Sequence, residues 1–368
     1  MRGRMIENGV SPCKATTTLT MSHIFTWHFS DRTGMNGGTA GKCWTVPEGG
    51  IYDSNSPETA MKHVEDLNLL NIDVAILDWW GSYGTEWFAH QTAAINTYIG
   101  IMDDKWKGKY TVFLEQLDPD KIPSSLAGYA EFDQLDDWIK ESNNWWYYKE
   151  KPVILLFNKV TNKLRDDARE VLGPPQQLQW VQDAVEKYYV IFVDSALDQR
   201  FGEPPPPGGE PPPNTGKQVR LVDIPGDFGA TWYAVPWIYS SYDEAKYRDR
   251  LRTIVEEIPF IDLWAYVHSG YDSRCLGKYG GPNLLWPRYG KDYFNRNAYH
   301  DGPSVEWLIH QRGLADEYSP EGLIYVHNEM GEHNSVTELT EDLSHLPFYN
   351  IRESSIRNCG FSTSPIRN

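Results

Sequence analysis

Eight short apolar runs recur along the 368-residue chain, separated by longer polar stretches. They are residues 23–29 (HIFTWHF), 73–79 (DVAILDW), 110–115 (YTVFLE), 152–158 (PVILLFN), 190–194 (VIFVD), 230–235 (ATWYAV), 261–267 (IDLWAYV) and 322–328 (GLIYVHN). Most are continuous rather than alternating, as strands buried on both faces are. Between them the apolar spacing changes to three and four. Ser56-Pro57-Glu58 opens one helix, with a capping Ser, Pro at the first position and an acid in the first turn. Ala60, Val64 and Leu67 give that helix one apolar stripe; Leu178, Val181 and Val185 mark a second helix, and Leu251, Ile254, Val255 and Ile258 a third. Strand and helix in repeated alternation predict an α/β chain folded as a single (β/α)8 TIM barrel over residues 21–349. No Gly-x-Gly-x-x-Gly follows a run, so an open dinucleotide-binding sheet lacks its fingerprint. Residues 1–20 and 350–368 are polar and aperiodic and read as tails. Residues 203–213 (EPPPPGGEPPP) read as an extended, solvated insertion in the barrel rather than a domain boundary; a proline-rich docking site is the other reading.

Lys and Arg total 34 against 51 Asp and Glu, a net charge of −17. That charge repels phosphate backbones and anionic lipid, which argues against nucleic-acid and membrane partners and for a neutral or cationic ligand. Cys13, Cys43, Cys275 and Cys359 show no C-x-x-C spacing, so neither a zinc site nor a disulfide framework is indicated. No metal or cofactor is called for, and no protein partner is indicated. No apolar run reaches the ~20 residues of a membrane span. The N-terminal stretch has two arginines without the apolar segment of a signal peptide. The expectation is a cytoplasmic protein, or one released by a non-classical route.

The composition is rich in large rings, with 15 Trp and 22 Tyr. Such rings bury well, but several stand beside Asp, Asn and Gly in loop-like text, where flat rings suit the apolar faces of sugars. Five runs end in acids. Asp78-Trp79-Trp80-Gly81 closes the second, Glu115-Gln116 the third and Asp194-Ser195 the fifth. The seventh runs on to Tyr271, Asp272 and Arg274, and the eighth to Asn328, Glu329, Glu332 and His333. Barrel chemistry sits at the C-terminal ends of the strands. Acids there accept sugar hydroxyls, rings cover C–H faces, and glycoside cleavage needs two carboxyls, one of them protonated. Glu329 and Glu332, three apart on a turn leaving the last strand, can face one cavity, and mutual repulsion favours a proton on one of them. They are the candidate catalytic pair. Candidate substrate contacts are Trp27, His28, Asp78, Trp79, Trp80, Glu115, Asp194, Tyr271, Asp272, Arg274, Asn328 and His333. Spacing alone leaves plainer readings open: a solvated loop for the glutamates, a rim ion pair for Asp272 and Arg274, and a surface place for His333.

Asn328-Glu329-Met330-Gly331-Glu332 followed by Val336-Thr337-Glu338 resembles the N-E-W-x-E-G…I-E-P segment after the last strand in glycoside hydrolase family 99, which includes the endo-α-mannosidases. Ser269-Gly270-Tyr271-Asp272-Ser273-Arg274 resembles that family's P-G-Y-D-D-x-R, and residues 73–81 its G-I-D-x-x-x-x-S-W-W-G. Thr26-Trp27-His28 resembles Y-x-W-Y, and Gly50-Ile51-Tyr52-Asp53-Ser54 followed by His63 resembles G-x-Y-x-S…H. The segments keep the family's order from about residue 21 to about residue 349. The resemblance implies a retaining, endo-acting α-glycosidase working on a mannan-like or related oligosaccharide or polysaccharide. In that family the first glutamate assists attack by the sugar's own 2-hydroxyl, and the second serves as acid and then base. Carried over by position, Glu329 takes the first role and Glu332 the second, with Tyr271 and Trp79 lining the cleft and no metal involved. Met330, Gly331 and His333 replace the family's Trp, His and Gly, and Asp78 stands where the family usually has Ser, so the sugar stays open. Two other readings stand beside the hydrolase: a polysaccharide-assembly protein, and a non-catalytic sugar-binding barrel.

Overall fold

The computed structural model describes residues 18–26, 28, 52–81, 86–193, 219–231, 248, 251–252, 254–256, 258, 261–267, 312–318 and 320–326. In chain order these form β1 (Leu19–Phe25), α1 (Pro57–Leu69), β2 (Val74–Trp79), α2 (Glu86–Lys105), β3 (Lys109–Leu114), α3 (Ala130–Glu141) and β4 (Tyr147–Tyr148). Then follow β5 (Lys151–Phe157), α4 (Asn158–Leu172), α5 (Gln179–Lys187), β6 (Tyr189–Val193), β7 (Phe228–Thr231), β8 (Ile261–Val267) and β9 (Gly322–Val326). All but β4 pair in parallel, in the order β3-β2-β1-β9-β8-β7-β6-β5, and β3 also pairs with β5, so the sheet closes. The chain is the expected (β/α)8 barrel.

Because side chains alternate across a strand, a closed sheet makes two cores. Met21, Phe25, Val74, Ile76, Phe113, Leu155, Ile191, Tyr266 and Ile324 fill the interior. Ile24, Leu77, Trp79, Leu114, Leu156 and Phe192 form the outer core with helix residues such as Tyr98, Trp138, Leu164 and Trp180. The first helix is capped as its sequence predicts: the Ser56 hydroxyl accepts from the Thr59 amide at 3.3 Å, and Ala60, Val64 and Leu67 are buried. Leu251, Ile254 and Ile258 are buried as well, whereas Val255, assigned to the same stripe, is 45% exposed.

The first strand departs from expectation. It spans Leu19–Phe25 rather than 23–29, because Leu19 and Thr20 find partners. The Leu19 amide donates to the Glu321 carbonyl at 3.0 Å, the Thr20 amide donates to Asp73 Oδ2 at 2.8 Å, and Met21 to Phe25 register against Val74 to Asp78. The strand thus takes in two residues read as tail. The rest of 1–20, along with 350–368 and the 203–213 insertion, lies outside the described residues.

Aromatic side chains seal the N-terminal end of the barrel. β4 and β5 form a hairpin whose two-residue turn, Lys149 and Glu150, has φ of 47° and 64°. The hairpin brings Trp146 edge-on to Trp264 at 5.2 Å, with Tyr148 packing on both Trp264 and Tyr189. Room for the fully buried Trp264 indole comes from glycines on β7 and β9. A Cβ on Gly229 would lie 2.4 Å from Trp264 Nε1, and one on Gly322 would lie 2.6 Å from its Cζ3. With that end plugged, ligand access belongs to the other end, where the strands terminate.

Candidate active site

At the C-terminal ends of the strands the inward rows become polar. Asp78 follows Val74 and Ile76 in the inward row of β2 and pairs in register with Phe25 on one side and Phe113 on the other. Its side chain is buried, with Oδ2 3.6 Å from His23 Nε2. Tyr266 of β8 reaches the same imidazole, its hydroxyl 3.0 Å from Nδ1. The backbone beneath is tied as firmly: the Asp78 carbonyl accepts from Thr26 Oγ1 at 2.5 Å and from Gln91 Nε2 at 3.3 Å, and Gln91 Oε1 accepts from the Trp80 amide at 3.0 Å.

Strand alternation makes Trp80 and Glu115 the next positions of the inward rows of β2 and β3. Both are half-buried, and the Glu115 amide continues the ladder by donating to the Trp79 carbonyl at 2.9 Å. Immediately beyond, Gly81 turns the chain at a φ of 93°, with its Cα so close to the Gln116 carbonyl that a Cβ would sit 2.3 Å from the oxygen. Any side chain there would move the loop that carries Trp80.

On the same face the described part of the loop after β1, His28 and residues 52–56, is held by its own polar contacts. Asp53 pairs with His90 of α2 at 3.1 Å, each side chain about a quarter exposed at 28% and 25%. His28 and Ser54 exchange two hydrogen bonds, at 2.7 and 3.2 Å. A relay of rings, buried except for the half-buried Tyr52, continues from His28 through Tyr52 and His63 to Tyr98, whose hydroxyl lies 2.6 Å from His63 Nδ1.

These positions revise the candidate contacts. Trp79 does not line a cleft. Its ring lies in the outer core, fully buried, with Nε1 donating to Thr92 Oγ1 at 3.0 Å and its face meeting Trp138 edge-on at 4.8 Å. In a strand apolar on both sides, the Trp-Trp pair must send one ring each way, and the outer one is Trp79. His28 is buried against Tyr52, where it holds the loop. Asp78, Trp80 and Glu115 come together at the strand ends of β2 and β3. Trp27, Asp194, Tyr271, Asp272, Arg274, Asn328, Glu329, Glu332 and His333 lie outside the described residues. The sequence reading missed His23 and Tyr266, although their signal was there: His23 shares the period-two row of Met21 and Phe25, and Tyr266 that of Trp264.

Among the described residues no group of three or more His, Cys, Asp and Glu is placed to hold a metal ion, and no helix is long and apolar enough to cross a membrane.

No family model matches the chain, and no curated protein sequence matches it. Solved structures do. The family 99 endo-α-mannosidase of Bacteroides thetaiotaomicron superposes in its complex with bis-tris-propane with a TM-score of 0.57 at 14% identity, covering 93% of this chain and 95% of that one. A second structure of an enzyme of that family from the same organism gives 0.56 at 15% identity, over 93% and 96%. A glycoside hydrolase-like protein gives 0.51 at 12% identity, over 88% of each chain. At these identities the likeness establishes a shared barrel fold, continuous over nearly the whole of both chains.

Proposed function

We propose that the protein is a glycoside hydrolase that cleaves α-linked glycan, with Glu329 and Glu332 as its catalytic pair. The observation that carries this reading is the placement of the strand that precedes them. β9 is a parallel barrel strand ending at Val326, so Glu329 and Glu332 follow its C-terminal end by three and six residues. At no more than ~3.6 Å per residue, Glu329 stays within roughly 11 Å of that end. The same face carries Trp80 and Glu115. A carboxylate pair following β9, with an aromatic and a further acid at the C-terminal ends of β2 and β3, is the equipment that glycoside cleavage requires. The fold shared with the endo-α-mannosidases supports the α-linkage.

In the proposed reaction Glu332 protonates the departing glycosidic oxygen and then deprotonates the incoming water. Glu329 takes the proton of the sugar's 2-hydroxyl as that oxygen attacks the anomeric carbon. The glycosidic bond breaks as an internal C–O bond forms; in the second step water opens that bond while Glu329 returns its proton to the 2-oxygen, with net retention. Trp80 offers a flat face to a sugar ring, Glu115 accepts from a hydroxyl, and Asn328, Tyr271, Asp272 and Arg274 complete the wall. An extended, mannan-like substrate cut internally is the form of the reaction closest to the structural relatives.

The test is incubation of the full chain with α-linked mannans, glucans and galactans, with products read by mass. Shorter oligosaccharides from one polymer establish hydrolysis and name the sugar. Tight binding of one polymer without products would replace the enzyme by a sugar-binding barrel. Neither products nor binding would remove the substrate class altogether.

A further inference from the structure

Beneath the strand ends, inside the barrel, lies a polar contact set that the proposed chemistry does not use. His23 of β1 stands between Asp78 of β2, at 3.6 Å from Nε2, and Tyr266 of β8, whose hydroxyl is 3.0 Å from Nδ1. All three side chains are buried. The imidazole is caged by rings, with centroids 4.4 Å from Phe25, 5.0 Å from Phe113 and 5.9 Å from Tyr266.

We propose that His23 is a positioning residue for the cleft floor: Asp78 keeps a proton on its Nε2, and its Nδ1 is thereby fixed against the Tyr266 hydroxyl. An ionised carboxylate only accepts, so the ring nitrogen facing it is favoured as N–H. The opposite tautomer would turn a lone pair toward a buried carboxylate oxygen, a repulsion that low dielectric magnifies. With Nε2 protonated, Nδ1 of the neutral ring accepts from Tyr266, and Nδ1 of the charged ring donates to it. Either way the phenol has one place to be.

The contact ties together strands that are not neighbours. β9 lies between β1 and β8, so the His23–Tyr266 contact crosses over it through the barrel interior. Asp78 adds β2, whose backbone is already pinned by Thr26 and Gln91. These three strands run on into Trp27, Trp80 and the segment Tyr271 to Arg274. The relative placement of the ends of β1, β2 and β8 therefore draws on one imidazole as well as on the backbone ladders between them. Misplacement of catalytic parts by ~1 Å is enough to cost ~100-fold in rate.

The effect on turnover rests on the glycosidase reading; the proton on Nε2 does not. The full chain labelled with 15N-histidine is examined by NMR, with the His23 signals assigned by their loss in His23→Gln. The expected result is an Nε2 shift in the protonated range, retained in Tyr266→Phe, which removes only a hydroxyl. An Nε2 without a proton overturns the proposal. On a cleaved glycan, Asp78→Asn and Tyr266→Phe are each expected to lower kcat by about 10- to 100-fold with KM near the parent value. The double variant should be no slower than the slower single one. Losses that multiply, or that fall on KM alone, overturn the positioning role. Failure of the parent to cleave any glycan counts against the glycosidase reading, and the nitrogen shifts then decide the proposal by themselves.

Discussion

Trp79 and Trp80 are adjacent in sequence and identical in chemistry, yet the barrel wall separates their fates. Trp79 is locked among α2 and α3 by Thr92 and Trp138, while Trp80 continues the inward row above Asp78. Their truncations should therefore report different things. Trp79→Ala removes a fully buried ring and should cost about 3–5 kcal/mol of stability, read by denaturant unfolding. Trp80→Ala should leave the unfolding midpoint close to the parent's and weaken glycan binding, read by calorimetry. If Trp79→Ala were the variant that lost binding at unchanged stability, the inward and outward assignments would be reversed. The sequence could not have decided this. A run such as VAILDWW is apolar at every position, so its period of two has no visible phase, and only the register against β1 and β3 supplies one. His23 differs: its row with Met21 and Phe25 is visible once the strand begins at Leu19, but not when it begins at His23 itself.

Among the elements, β7 and β9 show how little side chain a barrel strand needs in order to matter. Gly229 and Gly322 leave the space that the Trp264 indole occupies between them. Gly322→Ala should overpack that space and cost about 1–3 kcal/mol, measured by thermal unfolding. A neutral result would mean that Trp264 has another place to go. Most barrel strands were legible as apolar runs to within a residue or two, because burial on both faces demands such runs. The β4 hairpin was not, since a two-residue strand offers no period and its turn is Lys-Glu rather than the Asn-Gly that positive φ usually selects. Of the candidate site, the acids and rings at the ends of β2 and β3 were readable. Which of them share a face was not.

For the molecule as a whole, the abundance of tyrosine sets an alkaline limit. Burial, reinforced by neighbouring carboxylates, pushes up the phenols of Tyr129 beside Asp167, Tyr188 beside Asp136 and Tyr189 beside Asp262. Burial likewise raises Tyr110, near Asp103, and Tyr148, near Asp262 and Glu321. A phenol whose folded pKa is raised contributes stability that is present below the unfolded value of ~10 and is lost as pH climbs above it. Ultraviolet titration should therefore show these tyrosines ionising together with unfolding above pH ~10, rather than one by one in the native protein. Independent ionisation with the fold intact would show that these hydroxyls reach water. At neutral pH they act as fixed hydrogen-bond donors that hold β6, α3 and α4 in place around the barrel.

The glutamate pair is the point at which fold becomes function. The most direct measurement compares the parent with Glu329→Gln and Glu332→Gln, first on the glycan it cleaves and then on the matching α-glycosyl fluoride, whose leaving group needs no proton. Both variants are expected to lose cleavage of the glycan by about 100-fold or more, and Glu332→Gln alone to recover on the fluoride, because only its missing acid is made unnecessary. Parent-like cleavage of the glycan by either variant would contradict the assignment of the pair.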